Sequence, residues 1–424
     1  MASIVEEYER EFRPFYDVAE AGKTAVWEFS QMFGEEDSDS ESGDESDDVS
    51  NWISSLSFDS TGRFLAVGYN CGQVVVLKQQ PDEQTYQLYT EFKSHDSEFD
   101  FLTSMEIEEK INCIRWFPFP QRDTQRLLTT NDKTIKMFKM TERIQGPRDA
   151  KRGDVVVKPE LVFEGGHSYN INGIAFNSDG ETFISSDDLR INLWNVGIKN
   201  EALSTVDIKP DNMDELTEVI TCADLHPDRC NQLIYSSSKG IIRMGDLRSA
   251  ALCEKQAKAY EDKNSEIGGF FQELVTTISD VKFSPCGRMM VSRDYLTMKI
   301  WDVRYEAGPV RVVKFHDHLL NKLCDLYEND AIFDKFEACW SNNSSQLLTG
   351  SYNNTFYICD AFGEKRTPLK ALKPGEAGAG HSGPEPLAYH KKILHAAWHP
   401  RIDLLALGAK DFGYLYQKRF VTRK

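Results

Sequence analysis

Lys282–Trp301 reads KFSPCGRMMVSRDYLTMKIW: a short apolar strand, a turn with Pro and Gly, a second apolar strand, a tight polar turn, and a third strand ending on Trp. The same order of events recurs along the chain. It appears in Ser57–Leu77 (SFDSTGRFLAVGYNCGQVVVL), Arg115–Phe138, Ala175–Trp194 (AFNSDGETFISSDDLRINLW), Asp224–Asp246, Cys339–Cys359 and Ala397–Tyr416, which makes seven units. The aromatic or leucine that anchors each first strand falls at 58, 116, 176, 225, 283, 340 and 398, at intervals of 58, 60, 49, 58, 57 and 58.

Such a unit can bury its strands only against its neighbours, and a closed ring also hides the sheet edges that would otherwise aggregate. The spacing therefore predicts an all-β, seven-bladed β-propeller of the WD40 kind. The period exceeds the roughly 40–45 residues of a plain WD40 blade, so the excess is expected in loops on the faces. Ala25–Phe33 (AVWEFSQMF) has the apolar alternation to complete the last blade as an N-terminal closing strand. Residues 1–24 are then an extension, and 25–420 form one propeller.

Several stretches do not fit the blade pattern. Glu35–Asp48 (EEDSDSESGDESDD) carries nine acidic residues in fourteen and reads as a disordered linker, with Ser38 and Ser42 each followed three positions on by an acid. Thr141–Lys158 and residues 362–386 read as mobile loops. Lys209–Thr221 (KPDNMDELTEVIT) places Met213, Leu216, Val219 and Ile220 at helical spacing after Pro and Asp, predicting a short inserted helix. Glu98–Glu109 (EFDFLTSMEIEE) alternates beyond a blade's needs, as a projecting hairpin would.

With 67 acidic against 49 basic residues the formal charge is −18, which repels nucleic acid and anionic membrane and favours basic partners. No apolar run is long enough to span a bilayer, and Met1–Tyr16 resembles neither a secretory signal nor a transit peptide. A soluble chain of the cytoplasm, with the nucleus as a second place, is expected. Nine scattered cysteines without a Cys-x-x-Cys pair read as reduced thiols, not a metal site. No nucleophile elbow, phosphate-cradling glycine loop, zinc pattern or phosphatase metal motif is present, and no cluster of channel-facing carboxylates or histidines is apparent. Gly245-Asp246 ends a blade strand and lacks further ligands. The chain reads as a non-enzyme without a cofactor. His167, Ser185, Asp188 and Trp194 are spaced like the hydrogen-bonded brace of a WD40 blade; Asp188 and Asp132 each stand six positions before a strand-closing aromatic, and Asp187 reads as the exposed member of its pair.

Some stretches are more specific than any propeller requires: FKSHDSEFDFLTSMEIEEKIN (92–112), DIKPDNMDELTEVIT (207–221), TTISDVKFSPCGRMMVSRDYLTMKIWD (276–302), KLCDLYENDAIFDKFEACW (322–340) and KKILHAAWHP (391–400). Together they resemble the WD40-type B regulatory subunits of protein phosphatase 2A, from about Ala25 to the carboxyl end. The resemblance implies a trimer with a helical-repeat scaffold subunit and a metal-bearing catalytic subunit. This chain would choose phosphoprotein substrates by holding their basic segments on an acidic top face. It implies a substrate surface of Tyr169, Asp187, Asp188, Met213, Asp214, Leu216, Phe270, Phe271, Tyr327, Glu328, Asp330 and Lys335, with a core position as the competing reading for Leu216 and Phe271. It also implies a scaffold-docking arm bearing Phe99, Phe101, Leu102, Met105 and Ile107, against which stands a purely intramolecular hydrophobic cover. The chain departs from the family in its long acidic run, in Asn70 and in both large loops. A generic WD40 platform for another complex and a propeller enzyme with a channel site are the competing functions.

Overall fold

The computed structural model describes residues 23–34, 51–80, 85–101, 104–119, 124–142, 155–199, 201–249, 252–253, 256–263, 271–372, 386–410 and 412–422. The acidic run 35–48, Leu102 and Phe270 lie outside the described residues, as does all of the extension 1–24 except the start of the closing strand.

Seven four-stranded antiparallel sheets form seven blades. Blade one comprises Ile53–Phe58, Phe64–Tyr69, Gln73–Gln79 and Tyr86–Lys93, running from the innermost strand outward. Blades two to six repeat that order, starting at Cys113, Gly173, Ile220, Ile278 and Ala338. Blade seven is built from both ends of the chain: His395–Trp398, Leu404–Gly408 and Gly413–Thr422 are completed outside by Lys23–Phe33. The repeat unit thus has a fourth strand that the three-strand reading omits. Two expected loops are partly strand for that reason: Val155–Phe163 is the outer strand of blade two, and Arg366–Lys370 that of blade six.

The core lies between blades. Seven apolar clusters each span one junction; in one, Phe64, Ala66 and Val76 of blade one meet Ile114, Trp116 and Phe138 of blade two. In Arg190–Asn195 the period of two puts Ile191 and Trp194 on opposite faces, Ile191 in the seam with blade four and Trp194 in the seam with blade two. The seams are also hydrogen-bonded. Side chains of one innermost strand accept N–H groups of the next: Ser55 from Ile114 at 3.1 Å, Asp224 from Phe283 at 2.9 Å, Asp280 from Ala338 at 2.9 Å and Glu337 from Ala396 at 3.1 Å. These acceptors occupy donors that no sheet partner reaches.

Trp27 of the closing strand packs edge-on to Trp398 with ring centroids 5.5 Å apart. Trp27→Ala is expected to cost about 2 kcal/mol, from lost burial and the lost aromatic pair. The neighbouring exposed Val26→Thr should stay within ~0.5 kcal/mol. Thermal denaturation of both variants checks the pair, and equal effects would deny the strand its closing role.

The predicted helix at 209–221 is a single 3-10 turn, Met213–Glu215. Asn212 caps it by accepting the Asp214 N–H at 3.2 Å, but the chain is already extended at Leu216, and Ile220 begins the innermost strand of blade four. Helical spacing lost to the demand of the next blade for a strand.

Candidate functional site

In an antiparallel blade read outward, the turn between the second and third strands and the connection to the next blade lie at the same end of the sheet. Every candidate among the described residues falls on one of these segments. Phe99, Phe101, Met105 and Ile107 sit on the connection from blade one to two, and Tyr169 on that from two to three. Asp187 and Asp188 are in a second-to-third-strand turn. Met213, Asp214 and Leu216 lead into blade four, Phe271 into blade five, and Tyr327, Glu328, Asp330 and Lys335 into blade six. One face of the ring therefore carries them all.

The hairpin is two short strands, Glu98–Asp100 and Met105–Ile107, in register Asp100↔Met105. Ser104, with φ 54°, turns the chain back. Phe99 and Phe101 stack edge-on, 5.1 Å apart. Phe101 is 85 % exposed, Met105 65 % and Phe99 52 %, whereas Ile107 is half-buried. The three exposed side chains cover nothing of the propeller's own core, which removes the intramolecular-cover reading for them.

The connection into blade six folds as Asp317–Lys322, the helix Leu323–Glu328 and the turn Ala331–Phe333, seated on its own apolar cluster around Leu319, Leu326, Ile332 and Phe336. Asp330 sits at φ 55°, a conformation that Asp tolerates better than most side chains, and so exposes its carboxylate beside Glu328. Tyr327 lies between Phe271, at 6.0 Å, and Phe333, at 5.9 Å. Phe271 also packs against that cluster, as its core reading expects. Phe333 is 52 % exposed and was not among the sequence candidates, although an aromatic three residues after Asp330 in a polar loop was its signal.

Asp188 is half-buried. Burial raises its carboxyl above the usual range, with Asp187 adding to the rise and the positive charges of Lys335 and Lys133 opposing it. Met213 and Asp214 are exposed and Leu216 half-buried, as is Tyr169.

Asp187 does not belong on the surface. It is fully buried, with Oδ2 2.8 Å from His167 Nδ1 and Oδ1 accepting the Leu189 and Arg190 N–H groups at 2.8 and 2.6 Å. Burial raises its carboxyl, but the bonds from His167 and the two amides outweigh that and hold it below the usual range. His167 Nε2 meets Ser185 Oγ at 2.5 Å, and Ser185 Oγ accepts the Trp194 indole N–H at 2.7 Å. Asp187, not Asp188, is thus the brace residue, and Asp188 is the accessible one. Asn131 occupies the same place in blade two, accepting the Lys133 and Thr134 N–H groups, so Asp132 is not its counterpart either.

The channel also differs from expectation, because charged side chains do line it. The residue before the anchor lines the channel in six of the blades, which brings Arg115, Asp224 and Lys282 to the wall with Glu337, and His395 pairs with Glu337. Their main work is visible: Asp224, Asp280 and Glu337 are the seam acceptors already described, Lys282 pairs with Asp280 at 2.8 Å, and His395 with Glu337 at 3.1 Å. Gly245-Asp246 is likewise structural, since Asp246 takes up Arg248 and Asn231.

Comparison with known proteins fits this geometry. The family described as WD domain, G-beta repeat matches residues 158–195, which run from the outer strand of blade two through the three inner strands of blade three and include the brace. The chain is 41 % identical, over 92 % of its length and 98 % of the relative's, to serine/threonine-protein phosphatase 2A regulatory subunit phr2AB of Dictyostelium discoideum. It is 42 % identical, over 87 % of its length and 93 % of the relative's, to the B gamma isoform of the 55 kDa regulatory subunit of serine/threonine-protein phosphatase 2A from Homo sapiens. With the propeller, the face and this identity along nearly the whole chain, the protein belongs to the family of 55 kDa regulatory B subunits of serine/threonine-protein phosphatase 2A, and it is a regulatory chain rather than a catalytic one.

Proposed function

We propose that the chain joins the phosphatase scaffold through its hairpin and presents basic segments of phosphoproteins to the catalytic subunit from the face around Glu328 and Asp330. The observation that carries the docking half is the hairpin's display of Phe99, Phe101 and Met105 outside any core of their own. Exposed apolar side chains of this kind suit burial in a groove between helical repeats, to which the resemblance adds Leu102 and Ile107.

The recruiting half rests on the mixed character of the face. Tyr327, Phe271 and Phe333 offer an aromatic platform, with the exposed carboxylates of Asp325, Glu328 and Asp330 around it. A basic segment would gain charge-assisted hydrogen bonds there, and Met213, Leu216 and Tyr169 would take its apolar residues. Asp188, Asp214 and Lys335 would then set its direction. Holding the segment raises the local concentration of its phosphoserine or phosphothreonine at the partner's active site, so acceleration comes from proximity.

Glu328→Lys with Asp330→Lys is expected to lower kcat/KM of the reconstituted trimer on a phosphoprotein with basic flanks by about 10-fold. Turnover of p-nitrophenyl phosphate, which needs no recruitment, should not change. An equal fall on both substrates would point to trimer loss, and no fall on either would remove this face from substrate choice.

A further inference from the structure

The central channel holds a cavity of about 340 Å³ that the regulatory role does not use. The cations and carboxylates on its wall are not all accounted for. Lys282, Asp280, Glu337 and His395 are paired, as described above. Arg115 of blade two has one guanidinium bond, from Nη1 to its own neighbour's carbonyl, Ile114 O, at 2.9 Å, and makes no ion pair among the described residues. Its remaining N–H groups have no acceptor there. Asp224 of blade four spends one oxygen on the Phe283 N–H and has no ion pair among the described residues either. The two groups influence each other's ionisation across the channel without meeting. A donor-rich cation and a carboxylate, neither with an ion pair among the described residues, thus share one cavity.

Chemistry narrows what could lie between them. A simple anion would satisfy Arg115 but meet Asp224, Asp280 and Glu337, and a simple cation would meet Arg115 and Lys282. A molecule with both charges meets neither objection. The walls beside the pair are aromatic, with Phe58, Phe283, Trp340 and Trp398, and Ala397 leaves room. Such a wall suits an apolar side chain between two polar ends.

We infer that the channel is a binding site for a small zwitterion of the amino-acid class, its carboxylate on the Arg115 guanidinium and its ammonium on the Asp224 carboxylate. Burial pushes the Asp224 carboxyl up to about 6 against the pull of Arg115 and Lys282, and a bound ammonium would offset that burial further. The inference is independent of the docking and recruitment readings.

The test is thermal-shift and calorimetric titration of the full-length chain with the twenty standard amino acids singly, with acetate and methylammonium as half-ligands. At least one amino acid should bind, and neither half-ligand should bind as well. Arg115→Met should weaken that binding about 10- to 100-fold, the worth of one charge-assisted contact. Ala397→Leu, which narrows the cavity and leaves both charged groups in place, should weaken it as well, and decides the matter if Arg115→Met does not fold. Absence of binding to any amino acid, binding that survives Ala397→Leu, or acetate binding as tightly as the amino acid would overturn the site.

Discussion

Phe101→Asp combined with Met105→Lys is expected to release the chain from the phosphatase trimer while leaving it folded. Both side chains stand in solvent, so the propeller loses nothing by their change and its circular dichroism and melting should match wild type. At an interface each is a candidate anchor worth ~2 kcal/mol or more, and two together would weaken docking roughly 1,000-fold. The measurement is recovery of scaffold and catalytic subunits with the tagged chain from lysate. Wild-type recovery by the variant would move the docking site off the hairpin.

Asp187→Ala should cost about 3 to 5 kcal/mol, whereas Asp188→Ala should cost little in stability and act on substrate instead. Removing Asp187 leaves His167 without its carboxylate and two turn amides without an acceptor, all inside the blade. Because folding lowers the Asp187 pKa, its contribution is complete above the ordinary carboxylate value of ~3.9 and disappears as pH falls through the lower folded value. Denaturant unfolding of the two variants at pH 7, repeated for wild type in acid, separates them. If Asp188→Ala proved the more destabilising, the brace would have to be reassigned.

That pair shows where sequence reasoning reaches and where it stops. The anchors at 58 to 398 are legible because burial between blades forces apolar residues at fixed intervals, and all seven innermost strands end on one. The closing strand is legible for the same reason. The brace is off by one because counting six back from an aromatic ignores how a tight turn is made. The carboxylate or amide that accepts the turn's amides directly follows its strand or ends it, seven positions before the aromatic, at Asn131, Asp187 and Asp294 alike. The helix at 209–221 failed because periodicity is local, whereas Ile220 is claimed by Ser237 of a neighbouring strand. The channel charges were invisible for a different reason: their neighbours are supplied by other blades, which no local pattern records.

The pairing of Lys23–Phe33 with Gly413–Thr422 has a consequence for biosynthesis. The first strand leaves the ribosome long before its partner exists, and at ~5–20 residues per second the delay is roughly 20 to 80 s. Throughout it the nascent chain holds an apolar strand with a bare edge, next to blades whose ring is open. The ring therefore closes only after Gly413–Thr422 has been made, so the first strand to be synthesised is among the last to find its partner.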